Sequence, residues 1–155
     1  MLGLGNVLLG DDGFGPRVIG ELAREPEAVV DADLLDGGTQ GLGLLASLGG
    51  RAAVLIVDAY ASGAEAGTLS VIESPSLEQL GARKSQTAHE GNAGELLSVA
   101  ALTGDLPRNI ILLGVEPERI SVGMGLSPRV EQAVPKAVQL SLAALAKLRR
   151  TPACV

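Results

Sequence analysis

The sequence predicts a three-layer α/β/α sandwich with a mostly parallel, five-stranded sheet, in which one strand has the pattern of an antiparallel edge. Two observations lead to this fold class. Short apolar runs alternate along the chain with segments of helical periodicity, which is typical of strands joined by helices. The clearest run, VLIV within AAVLIVDAY, is continuously apolar, as expected of a strand with both faces covered. At 155 residues, we expect a single domain spanning residues 1–155.

The predicted strands follow one another at intervals that leave room for helices. In chain order they are a short strand at the start of LGLGNVL, then ADLLDGG, AAVLIVDAY, GTLSVIE and NIILLGV. GTLSVIE, residues 67–73, alternates between apolar and polar residues after a glycine-rich turn, and this pattern is typical of an edge strand. The predicted helices are FGPRVIGELAR, GLGLLASLGG, the second half of HEGNAGELLSVAALTG, and a long segment that starts at LSPRV.

Three of the four predicted helices carry a signal at one end. Pro16 is compatible with a helix only in the first turn, and Gly49 and Gly50 end the second helix. Ser127 is the expected cap of the last helix, with Pro128 at its first position. That helix has an apolar stripe at helical spacing, which predicts packing against the core; its members are Val130, Val134, Val138, Leu142, Leu145 and Leu148.

Composition and charge exclude several classes of protein. A net charge of −6 and a pI near 4.7 argue against binding to nucleic acid or to an anionic membrane. No segment approaches the roughly 18 apolar residues of a membrane span, and the first residues lack the features of a secretory signal. The single cysteine, Cys154, excludes an intramolecular disulfide and a cysteine zinc cluster. We therefore expect a cytoplasmic monomer.

Acidic residues follow the predicted strands where a site is expected. In open α/β sheets, ligands bind beyond the carboxyl ends of the strands. Asp11 and Asp12 follow the first strand, Asp36 ends the second and Asp58 ends the third, while His89 lies in a loop before a helix. Asp12, Asp58 and His89 offer two oxygen donors and one imidazole, a set that suits a divalent ion such as nickel or zinc. The alternative is that the acids cap helices and turns, which we expect of Asp11.

Two other chemistries fit the residues poorly. The glycines of GLGNVLLG suggest a dinucleotide-binding loop, but the third glycine position holds Leu8 and the acids that follow would repel a phosphate. A serine hydrolase is disfavoured because G-x-S-x-G is absent. A nucleophilic Cys154 would lie at the very end of the chain, so we set it aside.

Several segments together resemble one family. GLGNVLLGDDGFG is similar to the amino-terminal signature of the hydrogenase maturation proteases, and the likeness continues through DGGTQGLGLL, VLIVDAY, TAHEGNAGELLSVAALTG and NIILLGVEPERISVGMGLSPRV. The likeness covers about residues 2 to 148 in the order found in the family. Each motif alone is weak, but the ordered series is specific.

The resemblance implies an aspartyl-type endopeptidase that removes the carboxyl-terminal extension of a nickel–iron hydrogenase large-subunit precursor. Carried over by position, the family's three metal-contacting residues fall on Asp12, Asp58 and His89. Asp36 lies in a further family motif, and it would either join the catalytic residues beside the cleft or cap the Gly37–Gly38 turn. Nickel would be recognised in the precursor, and we expect no tight catalytic metal in the free enzyme. The alternative is a non-catalytic metal- or precursor-binding chaperone module of the same fold.

Two departures from the family pattern bear on these expectations. The first ligand position is often Glu in the family, and here Asp12 must approach a metal more closely because its side chain is one methylene shorter. The sequence also begins only two residues before GLGN, where relatives carry several more apolar residues. We therefore expect a shortened first strand that affects stability more than chemistry.

Overall fold

The computed structural model describes residues 1–74 and 93–150. These residues form one five-stranded sheet with helices on both faces. The strands are β1 (Leu2–Leu4), β2 (Leu35–Gly38), β3 (Ala53–Ala59), β4 (Leu69–Glu73) and β5 (Asn109–Val115). The α-helices are α1 (Phe14–Leu22), α2 (Leu45–Leu48), α3 (Ala93–Thr103) and α4 (Pro128–Arg150), and 3₁₀ turns cover Asp11–Gly13 and Gly41–Leu44.

The strand order in the sheet is β2-β1-β3-β5-β4. β1 pairs in parallel with both β2 and β3, and β3 pairs in parallel with β5 over its whole length. β4 lies at the edge and runs antiparallel to β5, as its alternating sequence predicts. The predicted fold class is therefore confirmed, and the carboxyl ends of four parallel strands meet at one edge of the sheet.

The two faces of the sheet bury separate apolar clusters because side chains alternate along each strand. On β3, Leu55 and Val57 pack with α1 and α4, whereas Val54 and Ile56 pack with α2 and α3. By the same alternation, Asp58 follows Val54 and Ile56 onto the face that carries α3. The low aromatic content leaves this core to aliphatic side chains, with the fully buried Phe14 as the exception.

Most predicted elements form within a few residues of their expected bounds. The first strand is short, as expected, and only Leu2–Leu4 of LGLGNVL pairs. Gly5 has φ +122°, and this turn takes the chain out of the sheet. GLGLLASLGG, expected as one helix, begins as the 3₁₀ turn Gly41–Leu44 and becomes α-helical only over Leu45–Leu48.

The last helix begins as expected, with Pro128 in its first position after Ser127. The Ser127 hydroxyl, expected to cap this helix, donates a hydrogen bond to Oδ2 of Asp11. Val130, Val134 and Leu145 of the predicted stripe are buried, and the other members pack against the same cluster. Among the described residues, none of the helices has both the length and the apolar character needed to cross a membrane.

Candidate active site

Asp12 lies in the 3₁₀ turn that joins β1 to α1, at the carboxyl edge of the sheet. Its Oδ2 accepts a hydrogen bond of 2.7 Å from the backbone amide of Asn6. The cap positions of this turn and of α1 are Gly10 and Gly13, and the hydrogen bond of Asp12 goes to the loop after β1 rather than to the first turn of a helix. The side chain is partly exposed, and the geometry leaves the carboxylate oriented by one backbone amide rather than enclosed.

Gly5 makes the position of Asp12 possible. A Cβ atom on Gly5 would lie 1.8 Å from the backbone oxygen of Asp12, which is far inside van der Waals contact. Gly5 also has a positive φ, and its amide donates to the carbonyl of Gly38 at 3.1 Å. The glycine therefore brings the end of β1, the turn that holds Asp12 and the end of β2 close together.

Asp58 lies near the carboxyl end of β3 and is close enough to Asp12 for their charges to repel. Burial raises the pKa of the Asp58 carboxyl to about 7, and the negative charge of Asp12 adds to the increase. Hydrogen bonds from the amides of Ala59 and Ala93 act in the opposite direction but do not offset it. Near neutral pH, the ionised form of Asp58 is therefore disfavoured both by burial and by repulsion from the carboxylate of Asp12.

Asp11, the neighbour of Asp12, has a structural role. It is fully buried, and its Oδ2 accepts hydrogen bonds from the amides of Glu118 and Arg119, both at 2.8 Å, and from the Ser127 hydroxyl at 3.0 Å. Its Oδ1 accepts the Ser127 amide at 2.6 Å. Asp11 was expected to cap a helix or turn, but its contacts instead join the loop after β1 to the loop between β5 and α4.

Glu116 plays a similar part beside Asp58. This largely buried carboxylate follows β5 directly, and its Oε2 accepts the Ser62 hydroxyl at 2.7 Å, the Ser62 amide at 2.5 Å and the Ala64 amide at 3.2 Å. Burial alone would raise the pKa of Glu116, but these hydrogen bonds and one from the Gly63 amide outweigh it and hold the pKa below its usual range. Glu116 therefore fastens the loop that follows Asp58.

Asp36 is exposed and is the second residue of β2, two residues before the strand ends at Gly38. Its Oδ1 accepts the amide of Gly38 at 3.0 Å, and Gly38 has φ +47°. This is an Asx turn, one of the two interpretations of Asp36 that the sequence left open. Through Gly38, which also bonds to Gly5, Asp36 shapes the loop next to Asp12.

His89, the third predicted ligand, lies outside the described residues, as does Cys154. Within residues 1–74 and 93–150, no three His, Cys, Asp or Glu side chains form a group able to hold a metal ion. The structure therefore brings Asp12 and Asp58 together and leaves the position of His89 as a prediction. The sequence predicted a structural role for Asp11 but not its partners. The role of Glu116 was missed, although Glu116 has the same signal as Asp58, an acid at the end of a buried apolar strand.

A cavity of about 700 Å³ lies at the opposite edge of the sheet. It is lined by residues near the amino-terminal ends of the parallel strands, including Met1, Leu35, Val54 and Arg51. Sites in open α/β sheets form beyond the carboxyl ends of the strands, so the position of this cavity does not favour it as the active site.

Comparison with known proteins places the sequence close to one family. The family model described as hydrogenase maturation protease matches residues 16–144. The hydrogenase 2 maturation protease of Escherichia coli is 34% identical over 146 residues, which are 94% of this chain and 88% of that protein. The hydrogenase expression/formation protein HoxM of Cupriavidus necator is 35% identical over 144 residues, covering 90% and 71% of the two chains.

Solved structures give the same result. The hydrogenase maturating endopeptidase HybD of E. coli superposes with a TM-score of 0.76 at 32% identity, covering 94% of this chain and 90% of that one. The nickel–iron hydrogenase maturation protease HybD of Thermococcus kodakarensis superposes with a TM-score of 0.71 at 27% identity, covering 93% and 96%. The matched segment, the identity and the shared fold together show that the chain belongs to the hydrogenase maturation protease family and is a peptide hydrolase.

Proposed function

We propose that this endopeptidase cuts the carboxyl-terminal extension from a nickel–iron hydrogenase large-subunit precursor and recognises that precursor through its bound nickel. Asp12, Asp58 and His89 are the proposed ligands that meet the nickel. The observation that carries the proposal is the pairing of Asp12 with Asp58 at the carboxyl edge of the sheet, where their charges repel.

A cation would relieve the electrostatic stress of this pair. Among the described residues, no Lys or Arg forms an ion pair with Asp12 or Asp58; the ion pairs there involve other acids. Two neighbouring carboxylates without a basic partner are disfavoured when both are ionised. A divalent ion delivered by the substrate would supply the missing positive charge, and carboxylate oxygens are ordinary ligands of such ions.

His89 would add a nitrogen ligand to these two oxygens. It precedes Ala93 by only four residues, and the Ala93 amide donates to Asp58, so the imidazole is within reach of the cleft along the chain. Asp36 would contribute through the shape of its loop. Together, two carboxylates and one imidazole leave positions open on the ion for the ligands that the precursor already provides.

This arrangement suits hydrolysis of a peptide bond placed beside the ion. The cation would polarise the scissile carbonyl or the attacking water. A cleft carboxylate would accept the proton of the water as its oxygen bonds to the carbonyl carbon, and the carbon–nitrogen bond would break as the amine takes up a proton. Fixing the substrate by its metal would also position the bond for attack.

The test compares nickel-loaded with nickel-free large-subunit precursor incubated with the purified protein. We expect the loaded precursor to be shortened at its carboxyl terminus and the nickel-free precursor to stay intact, as followed by intact-protein mass spectrometry. Equal cutting of both forms would exclude recognition through nickel. Binding of the loaded precursor without any cut would instead favour a chaperone module.

The ligand set is tested by Asp58→Ala and His89→Ala, each expected to slow processing by about 100-fold or more because one contact to the cation is lost. Glu118→Ala serves as the control, since that side chain is exposed in a neighbouring loop, and it should process the precursor at the rate of the unmodified protein. Normal processing by the His89→Ala variant would remove His89 from the site.

A further inference from the structure

Exposed aliphatic side chains cluster beside the cleft. Val7 and Leu8, in the loop after β1, are 50% and 56% exposed, and Val122 and Met124, in the loop between β5 and α4, are 91% and 80% exposed. We call these four side chains the apolar rim. Single exposed apolar residues are ordinary on a protein surface, but a contiguous group of them marks an interaction site.

The two loops of the apolar rim are joined by backbone hydrogen bonds. The amide of Gly123 donates to the carbonyl of Leu8 at 2.9 Å, and the amide of Gly10 donates to the carbonyl of Gly123 at 2.8 Å. Leu9 and Gly123 form a parallel bridge, so Val122 and Met124 flank the residue that pairs with this loop. The four side chains therefore belong to one surface.

The apolar rim is held on an ordered backbone. Asp11 anchors one loop to the other through its hydrogen bonds to Glu118, Arg119 and Ser127, and Gly10 also pairs with Ile120. Ordering a loop is one of the free-energy costs of binding. Here a buried carboxylate has already ordered the backbone that presents the rim, so a partner would meet a preformed surface.

The apolar rim is continuous with the proposed catalytic cleft. The amide of Leu8 donates to Oδ1 of Asn6 at 2.9 Å, and the amide of Asn6 donates to the carboxylate of Asp12 at 2.7 Å. Two successive hydrogen bonds thus connect Leu8 of the rim to Asp12, a proposed nickel ligand. A folded protein that brings its metal and a peptide bond to Asp12 must also cover the surface beside it.

We propose that the apolar rim binds an apolar segment of the hydrogenase large-subunit precursor next to the peptide bond that is cut. This inference rests on the proposed function, because it takes the precursor as the molecule that enters the cleft. The rim side chains carry no charge, so they select an apolar partner segment. Since such contacts act equally before and during the reaction, their loss raises KM more than it lowers kcat.

The test uses the double variant Val122→Ser/Met124→Ser and measures both the Kd for nickel-loaded precursor and the kinetics of cutting. We expect Kd and KM to rise by about tenfold or more, with kcat changed less than twofold and the thermal midpoint unchanged. The matched control is Val30→Ser/Leu102→Ser. These two side chains are 54% and 87% exposed, and both lie toward the opposite edge of the sheet, so Kd should stay within twofold.

Separate readouts distinguish failure of this inference from failure of the proposed function. An unchanged Kd in the rim variant would overturn the docking role, whatever the kinetics of cutting. An equal loss in the control variant would overturn it as well, and so would sedimentation in which the unmodified protein is a dimer and the rim variant a monomer. If the unmodified protein binds the precursor without cutting it while the rim variant binds weakly, the proposed function fails and the docking surface stands.

Discussion

Two kinds of carboxylate lie side by side at the carboxyl edge of the sheet. Asp11 and Glu116 are buried and accept several hydrogen bonds each, from amides and hydroxyls of loops far away in the sequence. Within the described residues, Asp12 accepts a single hydrogen bond from Asn6. Asp58 accepts backbone amides but lies against a second negative charge. The hydrogen-bonding capacity of Asp11 and Glu116 is thus used by the fold, whereas that of Asp12 and Asp58 is used only in part.

The difference indicates a division of labour between neighbours in the sequence. A carboxylate whose lone pairs are occupied by the protein stabilises the loops that surround the cleft. A carboxylate that the protein leaves partly unsatisfied keeps oxygen atoms for a ligand. Mutation of the first kind should therefore reduce stability, and mutation of the second kind should reduce activity with little loss of stability.

The largest effect on stability is expected from Asp11→Ala. It would leave the amides of Glu118, Arg119 and Ser127 without their acceptor inside the protein, and an unsatisfied buried network costs about 3–5 kcal/mol in the free energy of unfolding. Urea denaturation measures the change. Asp11→Asn should also destabilise, because Asn has only one acceptor oxygen, and in either orientation its NH₂ group faces a backbone amide that now donates to Oδ1 or Oδ2. A loss below about 1 kcal/mol in both variants would contradict the structural role.

Glu116→Ala should lower the free energy of unfolding by about 2–3 kcal/mol, because the Ser62 hydroxyl and the amides of residues 62 and 64 lose their acceptor. Glu118→Ala is the matched control, since its exposed side chain is two residues away, and it should change stability by less than about 0.5 kcal/mol. Equal effects in the two variants would show that the network around Glu116 does not hold the loop.

The raised pKa of Asp58 predicts a dependence of stability on pH in the free protein. The folded-state pKa of about 7 lies above the unfolded value of about 3.9, so the folded state binds more protons between these values. The contribution of this group is fully present below about pH 4 and is lost as the pH rises through 7. Because the asparagine side chain cannot ionise, the free energy of unfolding of the Asp58→Asn variant, relative to that of the unmodified protein, should rise by about 2–3 kcal/mol from about pH 5 to about pH 8.

Denaturation at several pH values measures this gain, and nuclear magnetic resonance titration of the Asp58 carboxyl gives the pKa itself. In Asp12→Asn the pKa of Asp58 should fall, because one of the two causes of the increase is removed. A pKa of Asp58 near 4 in the unmodified protein would show that the two carboxylates are not packed as described.

The smallest effect is expected from Asp36→Ala, which removes the hydrogen bond to the exposed turn at Gly38. A turn of this kind is worth about 0.5–1 kcal/mol, and Asp36→Asn should restore most of it because the amide oxygen can also accept the Gly38 amide. Thermal denaturation of the two variants measures the difference. A loss of processing in Asp36→Asn without loss of stability would assign Asp36 to the chemistry instead.

Much of the fold could be predicted because its strands are marked locally. VLIV and NIILLGV are continuous apolar runs, so their burial on both faces follows from the sequence, and GTLSVIE alternates as an edge strand should. A shortened β1 was also expected, but the residue at which it ends was not, because the chain leaves the sheet through the backbone conformation of Gly5 and no residue type alone reveals that conformation.

The candidate site could be predicted only in part. The position of Asp58 at a strand end was readable because acids rarely follow buried apolar runs without a reason, and Asp12 was readable from its place after β1. A structural role was also readable for Asp11, but its partners were not, since they are residues 118, 119 and 127, more than a hundred positions away. Contacts of that range are set by the packing of the whole sheet.

The division of labour is tested most directly by measuring stability and processing in the same preparation of Asp12→Asn. We predict a free energy of unfolding within about 1 kcal/mol of the unmodified protein, together with processing of nickel-loaded precursor slower by about 100-fold or more. Processing at the unmodified rate would contradict the assignment of Asp12 to the ligand site, and a loss of stability as large as that of Asp11→Ala would contradict the distinction between the two neighbours.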